Sequence, residues 1–207
     1  MQWGDIVISR AVFGALLAVC AVGTGAATFA QPNPFGDPEI LETECGEGNL
    51  ESCSKLANHL VTRNSEESKA RSVEIHAATC EKGHLPACGD LAAAYSLGLG
   101  VEQDEQRAYE IDRELCEEKD YGPACGSLGF TYALGKAGFE KDEGRALEYF
   151  VRACDLEYAG GCERAGQHWN SLLNPERDIA KAIGYHKRGC DLGDSYACDG
   201  MRRLEAE

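Results

Sequence analysis

Ten of the eleven cysteines form five pairs, with seven residues between the two cysteines in four pairs and eight in the fifth. The first cysteines of successive pairs are 35, 36, 38 and 36 residues apart. The pairs are Cys45/Cys53, Cys80/Cys88, Cys116/Cys125, Cys154/Cys162 and Cys190/Cys198. Such regularity predicts one disulfide within each pair. Zinc-binding cysteines usually come two to four residues apart, a spacing that these pairs lack, so we expect no metal and no cofactor.

A second arrangement of reactive side chains is the single Ser-x-x-Lys sequence, Ser52 to Lys55. A serine with a lysine three residues later is the nucleophile motif of serine enzymes that open β-lactams, which also carry Ser-Asp-Asn and Lys-Thr-Gly elements. Neither supporting element occurs in this chain. We therefore expect no enzymatic activity, and Ser52 and Lys55 remain the only candidate catalytic residues. If there is an activity, weak β-lactam hydrolysis is the one that this motif suggests.

The charge balance limits the possible partners. The 207 residues include 35 acidic and 20 basic side chains, which gives a formal net charge of −15. Nucleic acid binding depends on Lys and Arg contacts to phosphate, and anionic lipid likewise attracts basic segments. We therefore expect a protein or peptide partner rather than nucleic acid, and a monomeric chain.

The N-terminal residues indicate export. Residues 1–30 contain Arg10, an apolar run from Ala11 to about Val22 and a small-residue stretch ending at Ala30, which predicts a signal peptide cleaved after Ala30. A membrane anchor and a lipid attached to Cys20 are the alternatives, although the apolar run is shorter than the roughly 20 residues needed to span a bilayer. Without the signal peptide we expect no membrane span. Residues 31–37 predict a linker, and disulfides fit the bacterial periplasm or the exterior.

The residues around the cysteines predict five helical hairpins. Polar N-cap candidates precede the first cysteine of four units, at Ser68, Asp104, Asp142 and Asp178, and apolar residues follow at helical spacing. Glycine-containing turns then lead to a second helix that carries the second cysteine in its first turn. A period near 36 residues is typical of stacked two-helix units. The sequence thus predicts an all-α solenoid with units at about residues 38–63, 68–100, 104–138, 142–174 and 178–207.

A basic residue recurs nine positions before the first cysteine of the second to fifth units. Its four occurrences are Arg71, Arg107, Arg145 and Lys181. Pairing with neighbouring acidic side chains on the helix surface is one interpretation. A stripe that recognises anions is the other.

Two repeated motifs carry a family resemblance. Asp-x-x-Arg-Ala occurs at residues 104–108 and 142–146, and Ala-Cys-x-x-Leu, followed by Tyr and Gly, occurs at residues 87–91 and 124–128. The chain resembles the Sel-one-like repeat (SLR) proteins, relatives of tetratricopeptide (TPR) repeats. Within them it is most similar to the cysteine-rich secreted branch typified by the Helicobacter cysteine-rich proteins. The resemblance covers roughly residues 37–205.

This resemblance implies a right-handed α/α solenoid with one disulfide per repeat that mediates protein–protein interactions. The first helices of such stacks line a concave groove, so the variable positions four residues before the first cysteine are candidate partner-binding residues: His76, Asp112, Phe150 and His186. We expect this position to face solvent or a partner. The resulting hypothesis is an exported scaffold, dedicated or chaperone-like, that binds a protein or peptide. A penicillin-binding or weakly β-lactam-hydrolysing envelope protein is the alternative that the resemblance implies.

Overall fold

The computed structural model describes residues 36–63, 65–172 and 174–206, which form ten α-helices and no strand. The helices are α1 Pro38–Gly46, α2 Leu50–Thr62, α3 Glu66–Glu81, α4 Leu85–Leu97, α5 Glu105–Glu118, α6 Gly122–Leu134, α7 Glu143–Asp155, α8 Ala159–Asn170, α9 Ile179–Asp191 and α10 Ser195–Glu205. Each helix packs on its neighbours in sequence, as in a solenoid of helical hairpins. The predicted signal peptide, its cleavage at Ala30, Cys20 and most of the linker lie outside the described residues.

Five disulfides hold the hairpins together, and this prediction is confirmed. Each bridge joins the last turn of an odd-numbered helix to the first turn of the next helix, with Cα atoms 4.5–4.8 Å apart. The bridges are Cys45–Cys53, Cys80–Cys88, Cys116–Cys125, Cys154–Cys162 and Cys190–Cys198. Several of these sulfur atoms are also core atoms: Cys116, Cys125, Cys154 and Cys162 are fully buried.

Side-chain caps fix where the opening helices begin. The carboxylates of Asp104, Asp142 and Asp178 accept hydrogen bonds of 2.9–3.0 Å from backbone N–H groups three residues later. The second unit differs from the sequence prediction, because Ser65 caps α3 and Ser68 lies inside the helix. A cap three residues earlier lengthens α3 by nearly one turn.

The turns inside the hairpins place either glycine or an acidic residue in the left-handed conformation. Gly48, Gly83 and Gly193 adopt the left-handed conformation that the glycine-containing turns predicted. In the third and fourth units Asp120 and Glu157 take that conformation instead. The following glycines, Gly122 and Gly161, lie in or at the start of the second helix. A Cβ at Gly161 would lie 2.5 Å from the Cβ of Ala153, so close helix packing, and not the turn, requires glycine there.

Candidate functional site

The position four residues before the first cysteine of each unit is here named the junction position. His76, Asp112, Phe150 and His186 occupy it, and their exposed fractions are 2, 8, 6 and 3%. The expectation that this position faces solvent or a partner is therefore wrong. These side chains are buried against second helices instead.

Glycines opposite the junction position show how its side chains are accommodated. A Cβ at Gly129 of α6 would lie 2.5 Å from the ring of Phe150. A Cβ at Gly166 of α8 or at Gly200 of α10 would lie 2.8 Å from the ring of His186. The two rings thus fill space that only glycine leaves free, and they connect neighbouring hairpins by packing.

The two junction histidines are buried without a hydrogen bond at Nδ1. For His76 the nearest charge is the carboxylate of Asp90, 3.9 Å from Nδ1. Burial lowers the pKa of both imidazoles, and the Asp90 charge partly opposes this for His76. Both rings are therefore neutral packing groups near pH 7. Within the described ranges, no group of three or more His, Cys, Asp or Glu side chains could hold a metal ion.

The Ser-x-x-Lys pair does not form a catalytic arrangement. Ser52 is 5% exposed, and its hydroxyl donates a hydrogen bond to the carboxylate of Glu44. The ammonium group of Lys55 instead pairs with Glu51 at 3.1 Å. The serine is thus closed off beside the Cys45–Cys53 bridge, and the lysine that would activate it is directed to another partner.

Three of the four recurring basic residues pair with acidic side chains, as one of the two sequence interpretations expected: Arg71 with Glu42, Arg145 with Asp142 at 3.6 Å and Lys181 with Asp178 at 3.9 Å. The recurring basic residues also have a structural role that neither interpretation included. The guanidinium groups of Arg107 and Arg145 lie 4.4 and 5.5 Å from the ring centroids of Tyr95 and Tyr132, and the ammonium of Lys181 lies 4.0 Å from Trp169. In the second unit, where Leu60 replaces the aromatic ring, Arg71 pairs with Glu42 at 3.2 Å. The cations therefore cover aromatic rings of the preceding hairpin.

Two arginines that the sequence analysis missed connect successive first helices. Arg152 and Arg188 stand two residues before the first cysteine of their units. They donate hydrogen bonds of 3.0 and 3.1 Å to the backbone carbonyls of Cys116 and Cys154 in the preceding unit. Each arginine thus caps the C-terminus of a neighbouring helix. The recurrence of arginine at one repeat position was the available signal.

The second helices present exposed apolar side chains between two pockets. Leu97 at the end of α4 and Leu134 at the end of α6 are 61 and 62% exposed, and Phe130 of α6 is 39% exposed. We name these three residues the apolar ridge. A pocket of about 200 Å³ lies between α4 and α6, and one of about 530 Å³ lies between α6 and α8; Phe130 and Leu134 line both.

The smaller pocket contains Asp112. Its walls come from α4, α5 and α6 and include Ala92, Ala93 and Ala108. Glu105 and Lys136 stand in the same lining and pair with each other at 3.7 Å. Burial raises the pKa of the Asp112 carboxyl from 3.8 to about 7. Asp112 thus places a carboxyl group with a raised pKa beside an open cavity.

The face of the first helices is polar, and several of its charges are paired. A pocket of about 290 Å³ there is lined by Glu117, Tyr132, Arg145, Glu148, Tyr149 and Arg152. The Tyr149 hydroxyl donates to Glu117 at 3.0 Å, and the Tyr132 and Tyr149 rings stack with centroids 5.5 Å apart. Arg145 and Arg152 pair with Asp142 and Asp120, at 3.6 and 3.3 Å. This face therefore offers less exposed apolar surface to a partner than the apolar ridge does.

Ten helices in stapled hairpins, with packing residues between the units, define a disulfide-rich helical repeat protein. The Sel1 repeat model matches residues 85–111, 122–158 and 163–194, so the chain contains Sel1 repeats. No curated protein matches the chain. None of the helices in the described ranges is long and apolar enough to cross a membrane.

Solved structures share this fold at low identity. A protective antigen of uropathogenic Escherichia coli with an SLR fold matches at a TM-score of 0.63 and 20% identity over 82% of this chain, which spans 36% of that protein. A Sel1 repeat protein from Oxalobacter formigenes gives 0.61 and 17% over 81% of this chain and 74% of its own. Helicobacter pylori cysteine-rich protein B gives 0.52 and 22%, over 66% of this chain and 96% of its own.

Proposed function

We propose that this protein is an exported, rigid scaffold that binds a peptide segment of a partner protein across the apolar ridge. The observation that carries the proposal is the exposure of Leu97, Phe130 and Leu134 beside two pockets that share Phe130 and Leu134. Exposed apolar side chains that adjoin concave pockets are typical of protein-interaction sites. This places the partner on the second helices rather than in the groove lined by the first helices that the family resemblance implies.

Rigidity supports the binding role. Disulfides close each of the hairpins that carry the ridge, so little conformational entropy of these hairpins is lost when a peptide docks. The larger pocket is lined by Ala133, Ala146 and Phe150 and can accept an apolar side chain. Arg164 and His168 stand at its border and can bond the peptide backbone.

Export is supported by the disulfides together with the N-terminal sequence. Five bridges persist in the periplasm or outside the cell and are rare in a reducing cytosol. Protein recovered from periplasmic and culture fractions should have an intact mass ten hydrogens below the fully reduced value. Recovery only in the cytosol, with free thiols, would contradict export.

Binding is tested by selecting random dodecapeptides displayed on phage against the oxidised protein. Synthetic versions are then measured by fluorescence anisotropy. The Leu97→Ser/Leu134→Ser variant should lose at least about tenfold in affinity, because both leucines are exposed and contribute to binding but little to folding. Ile40→Ser is the matched control, since Ile40 is 56% exposed on α1 outside the ridge. The proposal is contradicted if the double variant binds the peptides as tightly as the unmodified protein does. It is also contradicted if no peptide remains after those that bind the double variant have been removed from the selection.

A further inference from the structure

We propose that the pocket between α4 and α6 is a specificity site that takes one cationic side chain, lysine or arginine, of the bound peptide, with its charged group against Asp112. This inference rests on the proposed function, which it makes more specific. It assigns the ridge a partner whose docking segment carries a basic residue beside an apolar one. The two side chains would occupy the smaller and the larger pocket.

The first argument is that the Asp112 carboxylate lies in a buried position without a hydrogen-bond donor. Its exposed fraction is 8%, and among the described residues no side chain or backbone group donates to its carboxylate. Among the three serine and threonine hydroxyls in the lining, that of Ser96 forms no hydrogen bond with Asp112, and the other two have other acceptors. Ser127 and Thr131 donate to the backbone carbonyls of Pro123 and Ser127, at 3.4 and 3.2 Å.

The other polar groups around the pocket are also paired. The ammonium of Lys136 lies 3.7 Å from one carboxylate oxygen of Glu105, and the other oxygen accepts the backbone N–H of Ala137 at 3.1 Å. The Tyr109 hydroxyl forms a 3.2 Å hydrogen bond with that of Tyr132. The buried polar atoms without a partner do not include the Asp112 oxygens, which therefore open onto the pocket and can be reached from it. A cation that enters the pocket would supply the opposite charge that no group of the described residues provides.

The second argument is the shape and polarity of the pocket. About 200 Å³ corresponds to several water molecules, or to one long side chain. Ala92, Ala93 and Leu97 on one side and Leu134 on the other would pack against methylene groups. An apolar shaft that ends at an anionic group matches lysine and arginine, whose long apolar stems carry a charged head. The formal charge of −15 also attracts basic segments to this surface.

The third argument comes from the equivalent positions. At the next junction Phe150 fills the corresponding space against Gly129, and His186 fills the one after it against Gly166. Asp112 stands opposite Ala92 and leaves its space open. The raised pKa of its carboxyl reflects the same burial without compensation. Entry of a cation would favour the charged carboxylate.

The test uses capped lysine, Nα-acetyl-lysine N-methylamide, as the probe, with capped norleucine as its uncharged analogue. Backbone amide NMR shifts are followed on the oxidised protein at pH 7.5. Capped lysine and capped arginine should cause saturable shifts at Ala93, Tyr109 and Thr131, and capped norleucine should not. Asp112→Asn, which keeps the shape and removes the charge, should weaken binding about tenfold or more.

Two further variants locate the site. Glu110→Gln removes the same charge from an exposed position on the same helix and should bind as the unmodified protein does. Ala93→Leu narrows the pocket mouth, leaves Asp112 charged and should weaken binding. No saturable shift, equal binding by Asp112→Asn, or undiminished binding by Ala93→Leu would overturn the inference. Selected peptides that bind the ridge while capped lysine does not would remove only this inference. Capped lysine that binds without any ridge-binding peptide would contradict only the proposed function.

Discussion

Two neighbouring junctions differ in the side chain at the same repeat position. The earlier junction, between the second and third hairpins, has an acid there, and the later junction, between the third and fourth, has an aromatic ring. At the later junction Phe150 packs into the space that Gly129 leaves, and its ring meets Phe130 edge-on with centroids 5.2 Å apart. At the earlier junction Asp112 faces Ala92 and borders an open pocket. The stack therefore tolerates an unfilled junction, because each hairpin is separately closed by its own disulfide.

The arginine caps differ between the same two junctions. Arg152 crosses the later junction to the carbonyl of Cys116 and pairs with Asp120 at 3.3 Å. The earlier junction has Glu114 at that repeat position, which cannot donate to the carbonyl of Cys80. Packing and capping are thus concentrated at the later junction, although the larger pocket lies beside it, and the earlier junction buries a titrating acid beside the smaller pocket.

The largest effect is expected from Phe150→Ala. Loss of this ring leaves a cavity beside Gly129 and should lower the free energy of unfolding by about 3–5 kcal/mol. Chemical denaturation with the disulfides intact measures the loss. Phe150→Leu is the control and should lose less than half as much. A loss below about 1 kcal/mol for the alanine variant would show that the later junction is not held by packing.

Asp112→Asn should stabilise the protein, and more so at higher pH. Since the folded pKa of about 7 exceeds the ordinary value of 3.8, the folded state holds the proton more tightly. The contribution of Asp112 to stability is therefore largest below about pH 4 and declines as the pH rises through 7, by at most about 4 kcal/mol.

Few other titratable groups contribute to the pH dependence of the stability difference between Asp112→Asn and the unmodified protein. The lining residues from α4 and α6 include none, those from α5 are Glu105 and Tyr109, and the loop after α6 contributes Lys136. The pKa of Tyr121 is also raised, first by burial and in part by nearby acids that include Asp112. Denaturation of the variant and the unmodified protein at pH 5 and pH 8 measures the change, with Glu110→Gln as a flat control. A difference that is constant with pH would contradict a buried, uncompensated carboxylate.

Removing the disulfide of the third hairpin and removing that of the fourth should lower the free energy of unfolding by the same amount. Replacing Cys116 and Cys125 by alanine, or Cys154 and Cys162, opens loops of nearly equal length and should lower the free energy of unfolding by about 2.6 kcal/mol each in the chain-entropy model. Costs that differ by more than about 1 kcal/mol would mean that a bridge also supports the junction next to it.

The smallest effect is expected at the arginine cap. Arg152→Met should cost about 1 kcal/mol, because a partly exposed side chain loses one hydrogen bond and one solvent-screened ion pair. Amide hydrogen exchange in the last turn of α5 should accelerate. Glu114→Met, at the same repeat position of the preceding unit, should change neither quantity. If the two substitutions had equal effects, the proposed difference in helix capping between the two junctions would be wrong.

The cysteine period and the aspartate caps were sufficient to predict the hairpins and their bridges, because both depend on residues close in sequence. The burial of the junction position could not be predicted in that way. His76, Asp112 and His186 are polar, and only contact with a neighbouring hairpin shows that they lie inside. Gly129 and Gly166, four residues after the second cysteine of the preceding unit, were a usable signal, since a recurring helical glycine indicates a close approach.

The candidate binding surface was harder to predict for the same reason. Leu97 and Leu134 end their helices and follow the apolar pattern of buried residues, so the sequence does not distinguish an exposed leucine there from a core one. The basic residues Arg107 and Arg145 cover aromatic rings of the hairpin before them, and such a contact follows from how the units stack. Ser52 and Lys55 match a motif by spacing alone, whereas their partners, Glu44 and Glu51, decide their chemistry.

Each bridge joins cysteines only eight or nine positions apart. As the chain is synthesised, the second cysteine of a pair therefore follows the first almost at once, long before the next pair emerges. The correct partner is the nearest available thiol at every stage, so an oxidant without proofreading can complete the pattern in order. Maturation of this protein should then require an electron acceptor but no disulfide isomerase, in contrast to proteins whose bridges cross between distant segments.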